Sequence, residues 1–233
     1  MAQNKKAGKR ISKKTQRQAA RTREKRMKQI RYGGLALIVV IAIAGIILWR
    51  NANAVPLDEL AASTAPNLDG LESAPVQVVE YGDLGCSSCR AWHNAGIKEQ
   101  LKAQFGDQVA FEYRHFPVIT ANSPDAAEAA QCAAEQDAFW TFHNYIYENL
   151  PAYPALDRSS LKEYATAVNL DRTAFDACLD SHKYESYVFN HAQQARAAGA
   201  RGTPTFVVNG SLVASPSYEN MAQLIDSALQ EQG

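Results

Sequence analysis

ValValGluTyrGlyAspLeuGlyCysSerSerCysArg, residues 78–90, is the stretch from which the rest of the chain can be read. Its start, with the two residues before it, is β-branched and aromatic (Val76–Tyr81) and predicts a strand. Gly82–Gly85 is a short turn, and Cys86–Phe105 reads as a helix. The pair Cys86 and Cys89 therefore follows a strand and opens a helix. There the first cysteine faces unpaired backbone N–H groups and the positive end of the helix dipole, both of which favour thiolate over thiol. Cys89, one turn further in, can reach Cys86 to close a disulfide and is shielded from solvent. Cys86 is the expected nucleophile and Cys89 the resolving thiol. An inert structural disulfide and half of a zinc site are the alternative uses of such a pair. Zinc would want a second close pair of ligands, whereas the other two cysteines, Cys132 and Cys178, lie 46 residues apart.

Downstream, Val109–Val118 reads as a second strand ended by Pro117. Ser123-Pro124 gives an N-cap with proline at the first helical position, and one long helical stretch runs on to Asn149. Shorter helices follow near Ser159–Val168, Thr173–Ser181 (capped by Asp171) and Tyr184–Ala200. The chain closes with strand Thr205–Val208, a turn at Asn209-Gly210, strand Leu212–Ala214, and a helix Tyr218–Leu229 capped by Ser217. The Asn209-Gly210-Ser211 glycosylation pattern is fully explained as that hairpin turn. The element order implies an α/β fold: a parallel βαβ opening, an antiparallel hairpin, and a helical insertion at about 122–200 covering one end or face of the sheet.

Upstream, the chain is electrically divided. The net charge of zero over 233 residues hides a basic tail, residues 1–31, with thirteen Lys/Arg against Glu24 alone. Residues 51–233 hold ten Lys/Arg against twenty-three Asp/Glu. Between them Gly33–Trp49 (GGLALIVVIAIAGIILW) is free of charge. As a helix it would be about 25 Å long, near the lower limit for a bilayer core of about 30 Å. With Tyr32 and Trp49 at its ends, residues 32–50 are expected to form one transmembrane anchor. The positive-inside rule puts residues 1–31 in the cytoplasm and the acidic part outside, a single-pass protein of the cell membrane. Ala52-Asn53-Ala54 has the form of a cleavage site, so a removed signal peptide is the alternative, and a buried core helix is another. The basic tail suits anionic lipid, placed as it is against an apolar run; a nucleic-acid arm is the alternative reading. Residues 51–74, rich in Ala, Asn, Pro and small polar groups, read as a linker, leaving residues 75–233 as the folded domain.

Taken with GlyThrProThrPheValValAsnGly at residues 202–210, the 78–90 motif resembles the DsbA-like branch of the thioredoxin superfamily, over about residues 75–233. The resemblance implies a thioredoxin-like fold in which Pro204 is a cis-proline packed against the cysteine pair. Thr203 would then offer its backbone to an extended substrate peptide. It also implies that Glu80, six residues before Cys86, is a buried acid beneath the site, a possible proton shuttle for Cys89. Otherwise Glu80 is an outward-facing strand residue. Related domains often carry a second bridge, and in an extracytoplasmic domain Cys132 and Cys178 would pair as a structural disulfide, at about 2–4 kcal/mol. A redox relay to Cys86 and Cys89 is the alternative for them. One departure stands out: Ser87-Ser88 replaces the Pro-His that strongly oxidising members carry between the cysteines, so a less depressed thiol pKa and a less oxidising couple are expected. His93 could tune the thiols or bind metal, or be a plain helix residue; His115 and His143 sit among aromatics as packing residues.

The expected function is extracytoplasmic dithiol–disulfide exchange, introducing disulfides into reduced secreted or membrane proteins. The cysteines are the redox centre, so no cofactor and no metal is expected, nor a nucleic-acid partner, and the chain is expected to be a monomer. The resemblance suggests a membrane quinone-linked partner that reoxidises the pair. Two rivals stay open: the same fold as an anchored reductase or isomerase, for instance in cytochrome maturation, and a non-enzymatic metallochaperone-like module.

Overall fold

The computed structural model describes residues 67–231, together with Tyr32 and Gly45, both helical. Apart from those two, the expected anchor at 32–50 and the basic tail lie outside the described residues. Among the described residues no helix is long and apolar enough to cross a membrane.

Leu68–Asp69 forms a short strand, β1, inside the stretch that composition marks as a linker. Two apolar or aliphatic-rich runs follow: β2 (Val76–Gly82) and, after helices α1 (Ser87–Asn94) and α2 (Ile97–Phe105), β3 (Val109–His115). Four residues of the late hairpin give β4 (Thr205–Val208) and two give β5 (Ser211–Leu212). The sheet order is β1-β3-β2-β4-β5. Only β2 and β3 are parallel, joined by the α1–α2 crossover; the other pairs are antiparallel.

Strand alternation gives the sheet two distinct faces. On one, Val76, Val78, Phe111 and Phe206 pack with Trp92 of α1, Leu101 and Phe105 of α2, and Met221 and Ile225 of the last helix, α8 (Tyr218–Gln230 in chain order after the insertion). On the other, Tyr81, Phe116 and Val207 meet Ala192 and Ala195 of α7 (Glu185–Ala197). The rest of the insertion is α3 (Ser123–Ala134), α4 (Phe139–Asn149), α5 (Arg158–Ala167) and α6 (Arg172–Asp180). Their core, with Phe142, Ile146, Leu161, Phe175 and Leu179, extends without a gap to Leu84, Cys86, Cys89 and Tyr113. The cysteine pair thus sits where insertion and sheet meet.

Several expected boundaries are corrected. The helix expected at Cys86–Phe105 is two, because Gly96 takes a left-handed φ of 63° and starts α2 on a new axis. The long stretch to Asn149 is likewise broken at Asp137, φ 55°. Ser123 is the first residue of α3 and not its N-cap; its hydroxyl accepts from the Thr120 N–H at 3.0 Å. The second strand ends at His115, since the amides of Val118 and Ile119 go to a side chain of another loop. The caps at Asp171 and Ser217 stand as the sequence reads, Asp171 accepting from the N–H groups of Thr173 and Ala174 and Ser217 from that of Asn220.

Candidate active site

Cys86 is the N-cap residue of α1, with extended backbone (φ −87°, ψ 117°), and its sulfur accepts from the Cys89 N–H at 3.4 Å. Both cysteines are free thiols and both are buried, Cys89 completely. The loop leading to Cys86 is pinned by Asp83. One carboxylate oxygen accepts from the Gly85 N–H at 2.8 Å; the other accepts from Val118 and Ile119 N–H at 2.7 and 2.8 Å. The Asp83 carbonyl in turn accepts from the Cys86 N–H and from the Tyr147 hydroxyl, 3.0 Å away.

Across the site, the Thr203–Pro204 peptide is cis, and the Cys86 thiol donates to the Thr203 carbonyl at 3.2 Å. The Cys89 thiol, the Thr203 side chain and the backbone N–H groups of Cys89 and Ser88 all favour the Cys86 thiolate. Together they outweigh burial and bring the thiol down to about 6. Cys89 behaves oppositely. Burial, then the Cys86 sulfur and the Glu80 charge, push its thiol well up. The two sulfurs of one motif are thus separated into an acidic attacker and a reluctant second thiol.

Glu80 is buried on β2, on the face covered by α1. Burial pushes its carboxyl up to about 8, with Lys98 pulling the other way and the Cys86 charge adding to the rise. An acid with that affinity changes protonation near neutral pH, as a proton shuttle must. Beside it, Tyr113 and Tyr147 are buried phenols, and burial also pushes them well above the usual range. Tyr113 explains Gly82: a Cβ there would lie 2.5 Å from the phenol ring.

Three further residues of the site are not visible as candidates in the sequence. Lys98 of α2 is 7% exposed, pairs with Asp69 of β1 at 2.8 Å and lies over the Trp140 ring. Arg90, directly after Cys89, donates to the carbonyls of Ile146 and Tyr147 at 2.7 and 2.6 Å, clamping α1 to the end of α4. Lys98 had one signal: with Leu101 and Phe105 it shares the buried stripe of α2. Arg90 and Asp83 had none.

The remaining candidates have partners of their own. Cys132 on α3 and Cys178 on α6 form a disulfide within the insertion. His93 meets Glu148 at 3.0 Å on the α1–α4 seam. His115 and His143 are buried in the aromatic cluster of Tyr113, Phe139 and Tyr147, and burial depresses both imidazoles, His143 to about 3. Among the described residues one group has metal-ligand geometry, Asp125, Glu128 and His182. The Arg158 guanidinium already supplies its positive charge, 2.8 Å from Asp125 and 3.3 Å from His182.

Against known proteins, a family model described as thioredoxin matches residues 64–227. The chain is similar to the probable disulfide bond formation protein D of Bacillus cereus, 29% identical over 207 residues, which cover 84% of this chain and 94% of that protein. It is also similar to the Na(+)/H(+) antiporter NhaA of Herminiimonas arsenicoxydans, 36% identical over 148 residues, 62% of this chain. The chain spans only 23% of that antiporter's length, and 31% of the similar antiporter NhaA 1 of Mycolicibacterium vanbaalenii. In structure it is similar to oxidised BdbD from Bacillus subtilis, with a TM-score of 0.65 and 24% identity, covering 71% of this chain and 93% of that one. The likeness to alpha-DsbA1 of Wolbachia pipientis has a TM-score of 0.61 at 21% identity, over 72% and 94% of the two chains.

Proposed function

We propose that this chain, which belongs to the thioredoxin family, is a DsbA-like thiol–disulfide oxidoreductase working through Cys86 and Cys89. The observation that carries the reading is the opposed acidity of the two thiols, with Cys86 at a helix N-terminus and 3.2 Å from the carbonyl before a cis-proline.

In the oxidising direction a substrate thiolate attacks the Cys86 sulfur of the Cys86–Cys89 disulfide. The substrate–Cys86 bond forms, the Cys86–Cys89 bond breaks, and Cys89 leaves with the electron pair. Its high proton affinity is met by the Glu80 carboxyl, which gives it a proton. A second substrate thiolate then attacks the substrate sulfur of the mixed disulfide, and Cys86 leaves as a thiolate. The substrate is oxidised by two electrons and the pair is reduced. An acidic Cys86 is a good leaving group, and it stabilises the reduced pair, which favours the oxidant over the reductase or isomerase direction. Ser87-Ser88 provides no side-chain base, and the Cys89 thiol, the Thr203 side chain and backbone N–H groups supply the stabilisation instead.

The substrates in this reading are reduced secreted or membrane proteins. The basic 1–31 tail and the apolar 33–49 run support a cell-membrane anchor at 32–50, with the catalytic domain outside the cytoplasm. Anchoring would keep a membrane quinone-linked reoxidising partner at high effective concentration.

The test is disulfide formation in a reduced, unfolded substrate protein by the oxidised full chain. Cys86→Ala is expected to abolish it, and Cys89→Ala with Cys86 loaded as its mixed disulfide with thionitrobenzoate to release thionitrobenzoate to a substrate thiolate and hold the substrate as a mixed disulfide at Cys86. Full activity in Cys86→Ala would overturn the assignment.

A further inference from the structure

We propose that Asp69 is a positioning residue of the redox site: by holding the Lys98 ammonium at β1 it withholds that charge from Glu80, keeping Glu80 able to exchange the Cys89 proton. The inference rests on the exchange reaction proposed above and concerns its regulation.

The register places the three groups over one face of the sheet. Asp69 is paired with Phe111, and Tyr113, two residues on, is paired with Glu80. Cross-strand partners share a face, and so do residues two apart along a strand. Asp69, Tyr113 and Glu80 therefore share one face of β1, β3 and β2, Asp69 in the row of Phe111 and Val78 and Glu80 in the next row with Tyr113, and α2 brings Lys98 over that face. The ammonium has two anchors, the Asp69 carboxylate at 2.8 Å and the Trp140 ring, whose centroid is 4.0 Å away. Glu99 is a third, weak one at 3.9 Å, on a side chain 56% exposed and screened by solvent. Lys102 also pairs with Asp69, so this carboxylate serves two cations.

Glu80 faces groups from every element around it: Lys98 of α2, Cys86 and Cys89 of α1, Tyr113 of β3, Tyr147 of α4 and, across the register, Phe206 of β4. Lys98 is the one cation in that set, and it also acts on His143 of α4. A buried ammonium deprived of its carboxylate needs another. Without Asp69, the buried carboxyl that Lys98 already feels is Glu80. Lys98 would then favour the ionised form of Glu80, and the loss of the Asp69 charge would act in the same direction. Glu80 would ionise at lower pH and hold the Cys89 proton less firmly. Removing Lys98 must do the opposite.

The experiment uses the full chain with Cys86 loaded as its mixed disulfide with thionitrobenzoate. Cys89 attacks the Cys86 sulfur, its proton passes to Glu80, a Cys86–Cys89 bond forms, and coloured thionitrobenzoate leaves with the electron pair of the broken bond. Release is followed against pH. Asp69→Asn is expected to move the inflection assigned to Glu80 down by about one unit, Lys98→Met to move it up, and Asp69→Glu to restore it. A merely structural role for Asp69 would alter stability without shifting the two inflections in opposite directions. Inflections that stay in place, or that move together, overturn the inference and leave the exchange reaction standing. If the unsubstituted chain releases nothing, the exchange reaction itself fails, and this inference with it.

Discussion

The Cys86 sulfur lies 3.2 Å from the carbonyl oxygen of Thr203, a residue 117 positions further along the chain and the one before the cis peptide to Pro204. The contact follows from the sheet. Tyr81 of β2 is paired with Thr205 of β4, so the loop before β4 must lie beside the loop after β2. In the proposed reaction a substrate sulfur bound at Cys86 would lie beside the half-buried backbone at Thr203, where an extended peptide would pair.

Alkylation of Cys86 in the reduced chain is expected to rise with pH around a midpoint near 6, while Cys89 stays unmodified through neutral pH. At pH 7 Cys86 would be roughly nine-tenths thiolate, against a few per cent for a free cysteine. The lowered folded pKa also stabilises the reduced protein. That stabilisation is fully present above the unfolded thiol's pKa and is lost as pH falls through about 6. Mass spectrometry of the alkylated chain and denaturant unfolding at several pH values check both parts.

Glu80→Gln should make the protein more stable at pH 7 and slower in exchange. A carboxyl raised to about 8 stays protonated in the folded chain while the unfolded chain ionises. Folding is then penalised increasingly from about pH 4 up to about 8, and not below, where both states hold the proton. Relief of roughly 2–3 kcal/mol at pH 7 is expected in urea unfolding, vanishing at pH 4.

Asp83→Ala should cost about 2–4 kcal/mol, because three amide donors lose a charged acceptor that is itself 2% exposed. The same change frees the Val118–Ile119 loop from the Cys86 loop. Faster amide exchange at Gly85, Val118 and Ile119 would register it.

Replacing Cys132 and Cys178 together by Ser should lower stability by about 2–4 kcal/mol by opening a loop spanning 46 residues. The Cys86 midpoint should not move, since the bridge joins α3 to α6 and is separate from the thiol pair. A shifted midpoint would instead favour a relay between the two pairs.

What the sequence makes legible here is what local pattern encodes. Alternation in Val76–Tyr81, the Asn209-Gly210 turn, and the caps at Asp171 and Ser217 each act within a few residues, and β2, the turn and both capped helices form where they point, while the strand expected at Leu212–Ala214 is Ser211–Leu212. The breaks at Gly96 and Asp137 are legible only in part: the left-handed region costs glycine little and Asp137 about 1–2 kcal/mol, and neighbouring helical propensity masks both. Long-range partners are the illegible part. Leu68–Asp69 looks like linker because two residues carry no period; they become a strand by pairing with Phe111 and Glu112. Asp69 thereby enters the site. Asp83, Arg90 and Lys98 are ordinary charged residues in sequence, and become part of the site through carbonyls, amides and a carboxylate brought from loops and helices elsewhere.

The most direct test is equilibration of the full chain in glutathione buffers, counting free thiols at Cys86 and Cys89 across the redox range. A reversible two-electron transition confined to this pair is predicted, at about −180 mV or above for the proposed oxidising direction. A midpoint near −270 mV would turn the chain into a reductant, and a pair that never equilibrates would contradict thiol–disulfide exchange altogether.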